Sequence, residues 1–255
     1  DAFAAVAEAF YKENGIAARF VSKPRHATGT AAILVNDEGQ NEIVVALGAN
    51  GALGRADLPP ALFAGAKVVV TQLETSLVAV VHTLRAGRRS GAITVLNPAP
   101  MRADFDPALL KFVDILIPNE TEFVALVNQL APAASASAAY TEAQLAAEPP
   151  ARTHARARAL GVATVIVTLG KRGCLLSQAT GFSLIAGHRV KAVDTTGAGD
   201  AFVGGFAAGL VEHGGDVAAA AGLGQAVAAL SVTKPGTAPS MPWRHEVQKF
   251  LKTRA

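Results

Sequence analysis

A run of small residues that ends in an acid, from Gly197 to Asp200, has the residue types needed to bind and react with a phosphate group. Gly197 and Gly199 can adopt backbone angles that are closed to other residues, and they let the chain pass close to a ligand. After Asp200, Phe202 and Phe206 recur at helical spacing, so this run is predicted to form the first turn of a helix. The N–H groups of such a turn, together with the helix dipole, favour an anion such as phosphate.

Asp200 puts a carboxylate beside this predicted anion site, although like charges repel. The position makes sense if the carboxylate is a base that takes the proton from a hydroxyl group attacking a phosphate. A lone Gly-x-Gly-Asp is equally compatible with a turn whose acid only stabilises the helix dipole. Two other phosphate motifs do not occur in the sequence. It has no Gly-x-x-x-x-Gly-Lys-Ser/Thr loop, and Phe202 stands where a dinucleotide fingerprint starting at Gly197 needs its third glycine.

Segments with strand and helix patterns alternate through most of the chain, and these elements must position the reactive turn. Such alternation is typical of a mostly parallel sheet with helices on both faces, so we predict an α/β fold. Predicted strands cover Ala17–Val21, Ala31–Val35, Glu42–Leu47, Lys67–Thr71, Ile93–Leu96, Asp114–Ile117, Thr164–Thr168, 174–177 and 183–190. Predicted helices cover 2–13, 76–90, 107–112, 120–129, 200–212, 216–231 and 242–253, with Pro242 in the first turn of the last one.

Polar or glycine-rich residues stand just beyond four of the predicted strands, at Gln72, Asn97, Asn119 and Gly170. In an open parallel sheet, ligands bind beyond the carboxyl ends of the strands. We therefore expect these four strand ends to converge on the turn that carries Asp200.

The composition is that of a globular protein and excludes several classes of function. The 255 residues carry a net charge of +3, with a mean hydropathy of +0.32, and no apolar run has membrane-spanning length. Arginine clusters lack interleaved aromatic residues, which argues against nucleic acid as a partner. Cys174 is the single cysteine, so no intrachain disulfide forms and a reducing compartment is favoured. The histidines show no paired metal-ligand spacing. Residues 131–150, rich in Ala, Ser and Pro, are interpreted as a surface connector.

The first residue is Asp1, and a helical pattern follows it at once, with no Met and no preceding strand. We expect the chain to be cut in mid-domain.

Two segments admit both a structural and a ligand-binding interpretation. Asn119 and Glu122 have the spacing of a helix capping box, and the same amide and carboxylate could organise Mg²⁺ near phosphates. The segment Ser231–Ser240 has the composition of a loop between helices. Its prolines and Gly236 could also turn carbonyl groups inward, which with the Asp194 carboxylate would suit a large monovalent cation.

The stretch Asp-Thr-Thr-Gly-Ala-Gly-Asp-Ala-Phe, residues 194–202, resembles the C-terminal signature of the ribokinase-like carbohydrate kinases. Pro-Asn-Glu-Thr-Glu at 118–122 is similar to the N-x-x-E motif of that family, and Gln-Leu-Glu at 72–74 to its sugar-contacting segment. The resemblance covers nearly all of the chain. It implies a single kinase domain over 1–255 with a ribokinase-like three-layer α/β fold and a partial β lid over 27–47. The first core strand with its sugar-binding Asp and the Gly-Gly-Lys-Gly-x-Asn sugar loop have no counterpart here.

The resemblance also implies roles for individual residues. Asp200 is the expected catalytic base, and the backbone of Gly197, Ala198, Gly199 and Asp200 the expected anion hole. Glu74 and Asp200 are expected to contact the substrate, and Glu122 to act on magnesium. Expected nucleotide-binding residues are Asn119, Thr168, Gly170, Gly173 and Gln225. Expected potassium ligands, mostly through backbone oxygens, are Asp194, Thr196, Ser231, Lys234, Gly236 and Ser240.

The activity that this resemblance implies is ATP-dependent phosphorylation of D-ribose at the 5-hydroxyl group, with Mg²⁺ and K⁺ as cofactors. A kinase of fructose, deoxyribose or adenosine and a non-catalytic nucleotide-binding remnant are alternatives, and a Rossmann dehydrogenase is disfavoured by the missing fingerprint. The expected partners are a small sugar and ATP, with no nucleic acid and no membrane. A cytoplasmic homodimer that associates through the lid is also implied.

Overall fold

A six-stranded sheet forms the centre of the protein in a computed structural model, which describes residues 1–35, 41–130 and 139–253. Its strands follow one another in chain order, and the first three pairings are parallel whereas the last two are antiparallel. The strands are β3 (Val68–Thr71), β4 (Ile93–Leu96), β5 (Ile115–Leu116), β6 (Thr164–Thr168), β7 (Cys174–Gln178) and β8 (Gly181–Ile185). The predicted mostly parallel sheet is therefore confirmed, with an antiparallel extension at one edge.

Helices cover both faces of this sheet, as predicted. The α-helices are α1 (Ala2–Glu13), α2 (Leu77–Arg89), α3 (Glu120–Leu130), α4 (Glu142–Ala147), α5 (Pro150–Ala159), α6 (Ala198–Glu212), α7 (Val217–Ser231) and α8 (Arg244–Lys252). Short 3-10 segments lie at Gly48–Ala52, Arg55–Asp57, Pro60–Phe63, Pro107–Phe112, Gly170–Arg172 and Ala238–Ser240. Among the described helices, none combines the length and the apolar composition that a membrane crossing requires.

The alternation of side chains along the strands divides the core into two layers. In β6, Val165 and Val167 pack with α2 to α5 on one face, whereas Ile166 packs with α6 and α7 on the other. All three side chains are fully buried. The sheet thus lies between two helical layers, the three-layer arrangement expected from the sequence.

A separate two-stranded hairpin precedes the sheet in the chain, with β1 (Thr30–Val35) paired antiparallel to β2 (Asn41–Ala46). It corresponds to the predicted β segments of the lid. The turn predicted at 36–40 lies outside the described residues.

Several predicted elements are wrong in extent or in kind. Ala17–Val21 forms no strand, because none of the described strands pairs with it, and its residues are largely exposed. The predicted strand at 183–190 ends at Ile185. The predicted connector at 131–150 contains α4, which begins at a capping box formed by Thr141 and Gln144. Residues 131–138 of that connector lie outside the described part of the chain.

The last helix also begins later than predicted. Pro242 lies before the helix and not in its first turn. The reason is local: the Glu246 carboxylate accepts the backbone N–H of Trp243 at 2.7 Å, which fixes Trp243 as the residue before the first turn.

Candidate active site

The turn from Gly197 to Asp200 begins helix α6, as the sequence predicts. Gly197 has φ of 76° and ψ of 4°, a left-handed conformation that glycine adopts at no steric cost. The backbone N–H of Ala198 donates to the carbonyl of Thr195 at 3.2 Å. Gly199 and Asp200 stand in the first turn, where backbone N–H groups have no carbonyl one turn earlier to bond. The amino end of α6 therefore offers amides and a positive dipole end to an anion.

A small cavity of about 160 Å³ lies against this turn. Asp200 and Glu122 both line it, so two carboxylates face one confined volume. The cavity is also lined by the strand-end residues Asn97 and Asn119. The structure therefore brings together three of the strand ends expected to converge, since Gln72 reaches Asp200 as well.

Asn119 and Glu122 form the predicted capping box at the start of α3. The Glu122 carboxylate accepts the backbone N–H of Asn119 at 2.8 Å and its side-chain amide at 2.9 Å. In return, the Asn119 side-chain oxygen accepts the backbone N–H of Glu122 at 2.8 Å. Burial raises the pKa of Glu122, the Asn119 backbone N–H opposes this rise, and the charge of Asp200 adds to it. The structural interpretation of this pair holds, and the carboxylate still faces the cavity.

A larger cavity of about 590 Å³ adjoins the first. Thr168, Thr195, Ala198 and Gly199 line both, so the two form one continuous cleft across the amino end of α6. The larger part also contains Gly170, Gly173 and Gln225 from the predicted nucleotide-binding set. An elongated ligand with one anionic end matches this shape.

Gly173 cannot be replaced by a larger residue at the wall of this cleft. Its φ is 99°, and an added Cβ would lie 1.9 Å from the carbonyl oxygen of Ile185. The glycine thus allows the loop after β6 to lie directly on the end of β8. Arg172 forms an ion pair with Glu120 of α3, which ties the same loop to the helix that carries Glu122.

Gln225 lies buried in α7 and contacts both the cleft and the core below it. Burial raises the pKa of the Cys174 thiol, and a hydrogen bond with the Gln225 side chain opposes that rise. Cys174 is a buried free cysteine, as predicted.

The predicted potassium ligands lie on two loops that meet at Asp194. The Asp194 carboxylate accepts the backbone N–H of Thr196 at 2.9 Å and that of Gly236 at 2.9 Å. These bonds hold the pKa of Asp194 below its usual range, with the Thr196 N–H as the main cause. One carboxylate therefore joins the loop before the Gly197 turn to the loop after α7.

The hydroxyl groups of Ser231 and Ser240 each donate to a backbone carbonyl three residues earlier. Ser231 donates to the carbonyl of Ala228 at 2.9 Å, and Ser240 donates to that of Thr237 at 2.7 Å. The Lys234 ammonium pairs with Glu246 at 2.8 Å. The described residues hold no group of three or more His, Cys, Asp or Glu side chains with metal-binding geometry.

Glu74 lies near the site but lines neither cavity. Its side chain is exposed, and partial desolvation, followed by the charge of Asp200, raises its pKa. The structure therefore puts it close enough to Asp200 to interact through space.

Two features of the site are not apparent from the sequence. The Gln72 amide donates to the Asp200 carboxylate at 2.8 Å, although 128 residues separate them. Lys171 and His188 line the larger cavity and add positive or titratable groups to it. The position of Gln72 directly after a predicted strand was a partial signal for its hydrogen bond to Asp200, whereas nothing in the sequence pattern marks His188.

Comparison with known proteins places this architecture in one family. The model of the pfkB family of carbohydrate kinases matches residues 1–244. A mouse (Mus musculus) ribokinase is 38% identical over 249 residues, which are 94% of this chain and 72% of that protein.

Solved structures agree with this match. A ribokinase from Thermotoga maritima has a TM-score of 0.82 at 32% identity, with 99% of this chain and 78% of that chain covered. An Arabidopsis thaliana ribokinase complexed with ribose and ATP has a TM-score of 0.75 at 30% identity, with 89% and 70% covered.

Proposed function

This chain belongs to the pfkB family of carbohydrate kinases, and from that premise we propose that it transfers the γ-phosphoryl group of ATP to the 5-hydroxyl group of D-ribose. The products are ribose 5-phosphate and ADP. Ribokinases are similar to it over most of its length, and one of them is described with ribose and ATP bound.

The observation that carries this proposal is the position of Asp200 at the junction of the two cavities. Its carboxylate lines the small cavity within the same helical turn that lines the large one. A hydroxyl group in the small cavity gives its proton to Asp200, and its oxygen attacks the γ-phosphorus as the bond to ADP breaks. The amides of the first turn of α6 stabilise the charge on the oxygens of the transferred group.

The larger cavity suits the nucleoside part of ATP. Thr168, Gly170 and Gly173 form one wall, and Gln225 lies in the opposite helix α7. With the nucleoside there, the shared lining at Ala198 and Gly199 receives the phosphates. The chain therefore orients ATP so that its terminal phosphate points toward Asp200.

Mg²⁺ fits the small cavity because Glu122 and Asp200 supply negative charge and oxygen atoms there. A carboxylate oxygen has two lone pairs, so Glu122 can still accept water held by the ion while Asn119 donates to it. When bound, the ion would neutralise charge on the ATP phosphates. Asn119 fixes the direction in which Glu122 presents its oxygens.

K⁺ fits the junction of the Asp194 loop and the 231–240 loop through backbone oxygens of Thr196, Ser231, Lys234, Gly236 and Ser240. The Asp194 carboxylate supplies one negative charge and already joins both loops. An added Cβ on Gly197 would lie 3.2 Å from the Thr237 side chain, so the loop after α7 supports the anion-binding turn directly. When bound, the ion would set the spacing of these two loops.

The proposal includes a homodimer that associates through the β1–β2 hairpin, in the cytoplasm. Leu34, Val44 and Val45 of the hairpin expose 59%, 57% and 40% of their surface. Since neighbouring residues of a strand face opposite sides, Val44 and Val45 leave both faces of the hairpin apolar. Light scattering measures the molecular mass of the purified protein and so tests whether it is a dimer.

A sugar panel tests the reaction itself. ADP release is measured with ribose, 2-deoxyribose, fructose and adenosine, in Mg²⁺, with and without K⁺. We expect turnover on ribose to exceed that on the other three and to rise when K⁺ is added. A preference for another acceptor would replace ribose in the assignment, and ATP binding without any turnover would indicate a binding remnant.

A further inference from the structure

We propose that Gln72 is a positioning residue that holds the Asp200 carboxylate in its reactive orientation, through a chain of amides across three strand ends. Gln72 directly follows β3, Asn97 directly follows β4, and Ile117 directly follows β5. The side-chain nitrogen of Gln72 donates to Asp200 Oδ1 at 2.8 Å and to Asn97 Oδ1 at 3.2 Å. The side-chain nitrogen of Asn97 donates to the Ile117 carbonyl at 2.9 Å.

The direction of these hydrogen bonds is fixed by the acceptor at each end. The Ile117 carbonyl can only accept, so the nitrogen of Asn97 must face it and the oxygen of Asn97 must face Gln72. That oxygen in turn requires the nitrogen of Gln72. An ionised Asp200 carboxylate can also only accept, so both N–H groups of Gln72 are used. The orientation of both amides therefore follows from a backbone carbonyl buried in the sheet.

The hydrogen-bonded amides of Gln72 and Asn97 are anchored firmly, although Asp200 at their end is exposed. Asn97 is 7% exposed, and its backbone N–H donates to the Thr71 carbonyl at 3.0 Å. On the other side of Gln72, the backbone N–H of Leu73 donates to the Ala99 carbonyl at 2.9 Å. Gln72 thus projects from a fixed backbone, whereas Asp200 is exposed at the start of a helix.

Without a fixed donor, an exposed Asp in the first turn of a helix can turn its carboxylate toward the free amides of that turn. In this protein those amides are the anion site, so such a rotation would remove the base and block the phosphate together. Gln72 holds Oδ1, and Oδ2 is then the oxygen that accepts the hydroxyl proton. A carboxylate in position 72 could not donate, and an apolar residue would leave Asp200 unheld.

The test is the variant Gln72→Met, which keeps the length of the side chain and removes both donors. It rests on the kinase function proposed above. We expect kcat to fall about 10- to 100-fold, the range associated with misplacement of a reacting group, and KM for ATP to rise, because the turned carboxylate occupies amides that would receive the phosphate. The matched control is Gln178→Met. Gln178 donates to Thr164 at 3.3 Å at the amino end of β6, whereas the site lies beyond the carboxyl ends of the strands. The control should keep the wild-type kcat.

A double variant separates positioning from general support of the fold. If Gln72 acts through Asp200, the loss from Gln72→Met disappears in an Asp200→Asn background. An equal loss in both backgrounds would overturn the proposal, as would wild-type kcat in Gln72→Met.

The outcome does not depend on which sugar is the substrate. If the sugar panel assigns another acceptor, the comparison is made with that acceptor, and only the ribose assignment fails. If no acceptor is turned over, crystal structures of the wild type and of Gln72→Met decide. A displaced Asp200 carboxylate supports the proposal, and an unmoved one overturns it.

Discussion

Substitution by alanine is expected to have opposite effects on stability at two neighbouring glycines of helix α6, Gly204 and Gly205. Gly205 is buried against α7, and an added Cβ would lie 2.7 Å from Val227 Cγ2 and 3.1 Å from Gly224 Cα. Gly204 is exposed, and an added Cβ there meets nothing within 4 Å. Gly204→Ala and Gly205→Ala therefore differ only in whether the methyl group has room.

The expected sizes follow from these contacts. Alanine in place of glycine in a helix interior stabilises by about 0.8–1.0 kcal/mol, and Gly204→Ala should gain this amount. Gly205→Ala gains the same and loses about 1–3 kcal/mol to overpacking, because the contacting atoms belong to a β-branched side chain and to backbone. Gly205→Ala should thus be about 1–3 kcal/mol less stable than Gly204→Ala.

Urea denaturation of both variants measures this difference, with melting temperature as a second reading. For a chain of this size, 1 kcal/mol corresponds to roughly 2–4 °C. Because α6 carries Asp200, the variant that pushes α6 away from α7 should also lose kcat, and Gly204→Ala should not. Equal stabilisation by both substitutions would refute the close packing of α6 on α7 described above.

Three further predictions concern a surface ion pair, a buried network and the cation loops. The hydrogen bond from Lys23 is the main cause that lowers the pKa of Asp57. The stabilisation by this ion pair is therefore complete above the pKa of an unfolded Asp, about 3.9, and is lost as the pH falls through the lower pKa of the folded state. The difference in melting temperature between wild type and Asp57→Asn should accordingly close at acid pH. Tyr140 donates to the buried Glu148 carboxylate at 2.6 Å, so Tyr140→Phe should cost about 1.5–3 kcal/mol in urea denaturation with kcat unchanged. Asp194→Asn should abolish stimulation by K⁺ in the ADP-release assay while ATP binding, followed by calorimetry, persists.

Much of the fold was predictable because its signals are local. The Gly197 turn and helix α6 follow from glycines, an acid and apolar residues at helical spacing within one short stretch. The capping box at Thr141 was equally local, but the Ala- and Ser-rich residues before it favoured the interpretation of a connector. The strand predicted at Ala17–Val21 shows the limit of such signals, since an apolar stretch becomes a strand only where a partner strand is present.

The structure brings several of the predicted site residues to one cleft, and their roles stay predictions. Thr168 and Gln225 line the larger cavity, and Asn119 and Glu122 line the smaller one. The bond from Gln72 to Asp200 depends on which strands are neighbours and how far α6 extends over their ends. Neither the order of the strands in the sheet nor the position of α6 over their ends can be read from the spacing of residues in the sequence.

The most direct test of the account is the rate of ADP release with ribose for the wild type and for Asp200→Asn, which is nearly isosteric and cannot take the proton. We predict that the variant loses about 10²–10⁴ in kcat while its affinity for ATP, measured by calorimetry, is retained. A variant that keeps the wild-type kcat would contradict the role of Asp200 as the base, and with it the central claim about how this site works.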